Sequence, residues 1–167
     1  MRPPLALLSH LVMPAFAVFV LSACVVAQPA HALPFIGGGG GKVTVTISAA
    51  SDCNNCGSGT ASALKIRVFM VTDEAAIRTV LNNKGVGWSK QIESAGATVL
   101  GEPSENFVAP GATKVFVVAK EAKATAIVVQ GNFCKRTGAG WYFVQPVKSK
   151  TLKLTAGATG FTLTTGK

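Results

Sequence analysis

From Lys42 onward the chain repeats every two residues. Val43, Val45 and Ile47 alternate with Thr44, Thr46 and Ser48. Successive side chains of an extended strand point to opposite faces, so this pattern buries one face and wets the other. Leu64, Ile66, Val68 and Met70 alternate with Lys65, Arg67, Phe69 and Val71. The polar members come first, so this strand enters a more buried layer as it proceeds. Further strands are expected at 97–100, 113–119, 125–133, 141–147, 151–154 and 161–164. Pro110-Gly111, Gly138 to Gly140, Pro146 and Gly157 to Gly160 supply the turns between them. One helix is expected over about 73–82. Thr72 or Asp73 can cap it, Ile77, Val80 and Leu81 share a face, and Asn82 to Gly85 stop it. Trp88 and Ile92 are expected to cover the sheet beside it. The fold class is therefore all-β with one short helical insertion, and the mixture of alternating and continuous strands favours a two-sheet sandwich.

The start of the chain has a different grammar. Arg2 is the only charge before a long apolar run, Leu5 to Val20, which ends in the small residues Ser22 and Ala23. A basic start, an apolar middle and a small-residue end are the parts of a secretory signal. Leu21-Ser22-Ala23-Cys24 resembles the bacterial lipobox, in which small residues admit the peptidase and the thiol carries the lipid. Stable anchoring takes two or more acyl chains at ~0.8 kcal/mol per buried methylene. The expected division is a lipoprotein signal peptide over 1–23, lipidated Cys24 with a glycine-rich tether over 24–41, and a sandwich domain over 42–167. Ala30-His31-Ala32 would suit ordinary signal cleavage instead, and Leu5 to Val26 is long enough for an uncleaved membrane anchor.

Cleavage before Cys24 leaves 144 of the 167 residues, with fifteen basic against seven acidic, a charge of +8. The lysines are scattered in small groups, which reads as solvated strand faces, with attraction to anionic lipid or an acidic partner as the functional alternative. Nucleic acid is not an expected partner in this compartment. Five glycines precede Lys42, and Gly41-Lys42 lacks the other residues of a phosphate-binding loop: Ile36 stands where the first glycine belongs and Val43 where Ser or Thr belongs.

Catalytic chemistry has little to draw on. His31 is the only histidine after Cys24, and it lies in the tether. The carboxylates Asp52, Asp73, Glu74, Glu93, Glu102, Glu105 and Glu121 are dispersed, and no GxSxG occurs. The expectation is no enzyme, no cofactor apart from the covalent lipid, no metal and no small-molecule substrate. Cys53-Asn54-Asn55-Cys56 falls in a polar loop between strands rather than at the start of a helix, where a redox motif would sit. With Cys134 it makes three thiols beyond Cys24, so one disulfide and one free thiol are expected, with the pairing open. The bond is expected to close a loop rather than a core, so its loss should affect binding more than folding, and a short closed ring is worth at or below ~3 kcal/mol. Phe116, Phe133, Trp141, Phe143 and Phe161 fall on expected strands and read as core.

The order of these features resembles one family. A lipobox and short tether lead to an alternating strand and a polar loop. Lys65-Ile66-Arg67-Val68-Phe69-Met70-Val71-Thr72-Asp73 then runs into a helix, followed by Phe107-Val108-Ala109-Pro110-Gly111, an apolar strand from Ala126 to Phe133 and an aromatic strand from Trp141. This is similar to TssJ (SciN), the outer-membrane lipoproteins of bacterial type VI secretion systems. The chain departs from the family pattern at Phe69-Met70-Val71, in the cysteine pair and in the pentaglycine. The resemblance implies a transthyretin-like sandwich without catalysis on the periplasmic face of the outer membrane. It implies a role in anchoring the secretion complex there by binding the periplasmic domain of the inner-membrane protein TssM. The loop after the first strand would dock TssM, here through Ser51, Asp52, Asn54, Asn55, Ser58 and Thr60. Two other functions compete. A periplasmic ligand-binding sandwich, for carbohydrate as an example, requires a shared exposed aromatic surface. A thiol-active accessory protein requires a reactive thiolate at Cys53 or Cys56.

Overall fold

The computed structural model describes residues 41–57, 59–83, 85–136 and 138–164. The expected signal peptide, Cys24 and the tether up to residue 40 lie outside the described residues. Eight strands run in chain order: β1 (Lys42–Ala49), β2 (Leu64–Val71), β3 (Val99–Val108), β4 (Thr113–Ala119), β5 (Ala126–Gly131), β6 (Tyr142–Pro146), β7 (Thr151–Ala156) and β8 (Phe161–Leu163). They form two four-stranded sheets, ordered β4-β1-β7-β8 and β3-β2-β5-β6. β1 is antiparallel to β4 and parallel to β7, while β2, β3, β5 and β6 are joined by antiparallel pairings.

The inner faces meet as the alternation requires. Val43, Val45 and Ile47 of β1 are buried with Phe116, Leu152 and Leu154 from the same sheet. Ile66, Val68 and Met70 of β2 and Ile127 and Val129 of β5 oppose them from the other sheet. Among the described residues this core lies entirely between Val43 and Phe161.

β2 is buried on both faces, with Phe69 and Val71 as hidden as Val68 and Met70. Two helices supply the second cover, α1 (Glu74–Asn82) and α2 (Trp88–Ala95). α1 begins where the sequence places it: Asp73 caps it by accepting from the Ala76 amide at 2.9 Å. Ile77 and Leu81 are its buried residues. Tyr142 Oη donates to Asn82 Oδ1 at 2.8 Å, tying α1 to β6. Trp88 and Ile92 do cover the sheet, but from a second helix, so one helical insertion becomes two. The apolar spacing of Trp88, Ile92 and Ala95 was present. The signal it lacked was a side-chain cap, since Gly87 holds the N-cap position.

The strand expected at 97–100 is also corrected. Gly96–Thr98 is a 3-10 turn, and β3 runs on to Val108. Pro103 and a row of exposed polar residues hide it in sequence. Both are compatible with a sheet edge, where a residue without an N–H does no harm. The pairing shifts register between Val68 and Met70 opposite Gly101, which sits at φ 64.

Beneath α2 the outer face of β2 holds a buried polar network. Arg67, 6% exposed, donates from Nε to Glu105 Oε1 at 2.5 Å and from Nη1 to the Trp88 carbonyl at 3.2 Å. Its guanidinium lies 4.4 Å from the centroid of the Trp88 ring. Gln130 of β5 donates to Gln91 of α2, and Gln91 donates to the Val86 carbonyl at 3.2 Å. Lys65 Nζ lies 2.6 Å from Glu105 Oε2. Partial burial of Glu105 pushes its carboxyl up, but the hydrogen bonds and charges of Lys65 and Arg67 outweigh this and hold it below the ordinary carboxylate value.

The register also defines two poles. Lys42 pairs with Ala119 and Thr44 with Thr151 at one end of the β4-β1-β7 sheet, whereas Ser48 pairs with Thr113 and Ala49 with Ala156 at the other. The first pole therefore carries the β4–β5 and β6–β7 connections. The second carries the β1–β2 loop, the β3–β4 turn and the β7–β8 turn. Ile66 pairs with Gly131 and Gln130 with Tyr142, which brings the β5–β6 loop to the second pole as well. Eight residues of β1 separate the poles by about 25 Å.

Replacing Arg67 with Ala should remove the peg between α2 and the sheet and leave Gln130 and Glu105 short of a partner. A loss of about 3 kcal/mol is expected in urea unfolding. Because the Glu105 pKa is depressed, its share is present above the ordinary carboxylate value and is lost as the pH falls below it. The variant should therefore show a weaker acid dependence than the parent, and an unchanged midpoint and acid profile would refute the role.

Candidate functional site

The β1–β2 loop is fixed from within by one residue. Asn54 sits at φ 51, a left-handed conformation that Asn tolerates better than most residues. Its Nδ2 donates to Ser62 Oγ and to the Ala63 carbonyl, both at 3.1 Å. Its Oδ1 accepts from the Cys134 amide at 2.8 Å. Ser62 Oγ donates back to the Asn54 carbonyl at 2.9 Å. Asn54 is 4% exposed, and its amide is occupied by the protein's own groups, which shapes the loop.

The disulfide joins Cys56 to Cys134, with Cα atoms 5.1 Å apart. It ties the β1–β2 loop to the β5–β6 loop across 78 residues of chain. The reading of a short ring is thereby corrected. The chain-entropy model gives so long a ring about 4.5 kcal/mol, so the bond bears on folding as well as on loop shape. Cys53 is the free thiol and is fully buried. Burial, aided by the charge of Asp52, pushes its pKa up to about 11. A thiolate is scarce there at neutral pH, which opposes the thiol-active function.

What remains outward is a small polar surface. Ser51, Asp52 and Thr60 are exposed, as are Gly57 and Gly59. Asn55 is half-buried, and its Oδ1 accepts from the Gly57 amide at 2.9 Å, closing a local turn. Ser58 lies outside the described residues. The β5–β6 loop adds residues that the sequence did not single out. Lys135 lies against Gly57, whose φ of 94 suits glycine. Arg136 stacks over Trp141 at 4.6 Å and donates to Asn132 Oδ1 at 2.9 Å. Only the fold brings these loops together. The aromatics Phe116, Phe133, Trp141 and Phe161 are buried, and Phe133 packs edge-on against Phe161 at 5.2 Å. They are committed to the core, which opposes a carbohydrate platform. Among the described residues no group of His, Cys, Asp or Glu is arranged to hold a metal ion.

The Cys56→Ser, Cys134→Ser double variant should lose about 2–4 kcal/mol in urea unfolding. In residues 41–167, the Cys53 thiol should resist a thiol reagent at neutral pH and react as one equivalent after unfolding. Rapid labelling of the native protein would reverse the assignment of Cys53 as inert.

Residues 41–163 match the model of the family described as "Type VI secretion lipoprotein, VasD, EvfM, TssJ". No curated protein matches the chain. Among solved structures, the type VI lipoprotein TssJ1 of Pseudomonas aeruginosa is similar with a TM-score of 0.62 at 17% identity, over 77% of this chain and 100% of that one. Serratia marcescens Lip, described as a membrane-bound component of the type VI secretion system, is similar with a TM-score of 0.61 at 17% identity, over 74% of this chain and 97% of that one. A chain in a structure described as the type VI protein TssM C-terminal domain (869–1107) from EAEC is similar with a TM-score of 0.62 at 11% identity, over 75% of this chain and 98% of that one. These likenesses place the two-sheet architecture, with its small helices, among the TssJ lipoprotein structures. The family match spans most of the chain: this protein belongs to the type VI secretion lipoprotein family, that of TssJ.

Proposed function

We propose that this chain is lipidated on Cys24 and anchors the membrane complex of a type VI secretion system to the outer membrane. It does so by binding the periplasmic domain of a TssM-like inner-membrane protein. The observation that carries this reading is the second pole of the sandwich. There a disulfide and the Asn54 network hold the β1–β2 loop in one shape while Ser51, Asp52 and Thr60 stay exposed. A loop already ordered loses little conformational freedom on binding. Support for the partner comes from chains of this fold in structures described as the TssM C-terminal domain and as a type VI membrane complex. The role is structural: the protein holds two membranes' components together and transforms nothing.

Exchanging the exposed pair, Ser51→Arg with Asp52→Arg, should leave the fold intact because neither side chain enters the core. Binding to the purified periplasmic domain of the cognate TssM-like protein should weaken at least tenfold, which is ~1.4 kcal/mol. A folded variant that binds unchanged would remove the loop from the interface.

The anchor has its own measurement. Cys24→Ala should abolish fatty-acid labelling in cells and release the domain from membranes. Continued labelling, or a mature protein beginning at Leu33, would defeat the lipoprotein reading.

A further inference from the structure

The pole opposite the docking loop has a chemistry of its own. β1 begins at Lys42, just after Gly41, in the middle of its sheet, flanked on both sides. The Lys120 amide donates to the Gly41 carbonyl at 2.8 Å, and the Thr44 amide donates to the Lys150 carbonyl at 2.9 Å. These backbone ties gather three separate segments around the point where the chain enters the domain. Between them lies an open groove of about 500 Å³, lined by Lys42, Lys120, Lys148 and Lys150, with Glu121 as its one carboxylate. The four lysines are exposed, and Lys123 is exposed on the same β4–β5 connection. Among the described residues none of the five is ion-paired to a carboxylate. The acidic side chains on the helical segment leaving the adjoining end of β2 are already engaged: Asp73 caps α1 and Glu74 pairs with Arg78 at 2.8 Å. The lysines' dispersal along the sequence disappears in the fold, where residues over a hundred positions apart share one rim.

We propose that this lysine-rimmed groove binds the headgroups of anionic phospholipids and seats the domain on the membrane to which it is tethered. Four cations around a concavity, with one carboxylate, offer a phosphate-bearing surface more than diffuse attraction. Each lysine can reach a separate headgroup, and the exposed Ser149 hydroxyl in the rim can donate to a phosphate oxygen. Position commits the occupant. The chain enters the domain at this pole, through Gly41, so an anchor on Cys24 would be joined to the domain on its basic side. The docking loop, about 25 Å away along β1, is left facing the partner. The orientation rests on the proposed lipidation of Cys24, but the groove's affinity for lipid does not. The anchor supplies attachment and the groove supplies a fixed pose.

The test uses residues 41–167, which hold the core described above and correspond to nearly the entire length of the TssJ1 and Lip structures. Without Cys24, binding reports the groove alone. Co-sedimentation is measured with vesicles of phosphatidylcholine and with vesicles containing about a third phosphatidylglycerol, at low and at high salt. Partitioning should favour the anionic vesicles at least tenfold and fall steeply with salt, since the contacts are exposed. The triple variant Lys120→Gln, Lys148→Gln, Lys150→Gln should lose at least tenfold. Lys114→Gln, Lys135→Gln, Lys153→Gln makes the same change in net charge away from the groove and should lose less than threefold. Equal loss in the two triples would reduce the effect to net charge and overturn the site, as would indifference to phosphatidylglycerol. Saturable binding of inorganic phosphate that blocks the vesicles would reassign the groove to a soluble anion. Binding of the cognate TssM-like domain lost in the lysine triple, with vesicle binding intact, would reassign it to protein. A wild-type protein that takes up no fatty acid on Cys24, beside a 41–167 domain that binds anionic vesicles, would sink the anchor and leave the groove standing.

Discussion

Everything in this fold is arranged around a strand that has no wet face. β2 is covered on one side by the opposing sheet and on the other by α1 and α2. A four-stranded sheet facing water on its outer side would leave Phe69 and Val71 exposed, at roughly 25 cal/mol for each Å² of apolar surface. The helices are thus a third layer required by the sandwich. Arg67 sets where that layer sits, because its donors are divided among Glu105 on β3, Trp88 on α2 and Gln130 on β5. Burying a guanidinium is costly, and here the cost is met by a carboxylate that keeps a third of its surface in water. The same network fixes the direction in which α2 leaves the sheet.

The strongest patterns were legible because they are local. The alternation of Val43, Val45 and Ile47 appears unchanged in the burial of β1. Asp73 as the cap of α1 follows from residue chemistry alone. The register of β3 was hidden, because an edge strand carrying Pro103 and polar residues on both faces has no periodicity to read. α2 was hidden for a related reason: two glycines before Trp88 look like a loop, and the stabilisation of the helix comes from Gln91 and Trp88 meeting β5 and β2.

The candidate site was legible in place and illegible in detail. Polar composition and the glycines put a loop at Ser51 to Ala63. They did not distinguish Asn54, which is spent on internal hydrogen bonds, from Ser51 and Asp52, which are open. Nor did they choose between Cys53 and Cys56. That choice depends on where the β5–β6 loop arrives, and only sheet pairing brings Cys134 to that end of the molecule. Distribution of charge had the same limit: lysines that look evenly spread along the chain are gathered by three strand ends.

The central placement of β1 has a mechanical consequence. In the proposed assembly one end of this strand leads to the membrane anchor and the other opens directly into the docking loop. Tension between the two membranes would enter and leave the domain along the axis of a single strand. β1 is held by seven residue pairs to β4 and six to β7. A load parallel to those ladders shears their hydrogen bonds together, whereas a load at a hairpin end peels them one at a time. The Cys56–Cys134 bond then passes part of the load to β5, in the other sheet. A domain wired this way resists a sudden pull through the collective strength of its middle strand.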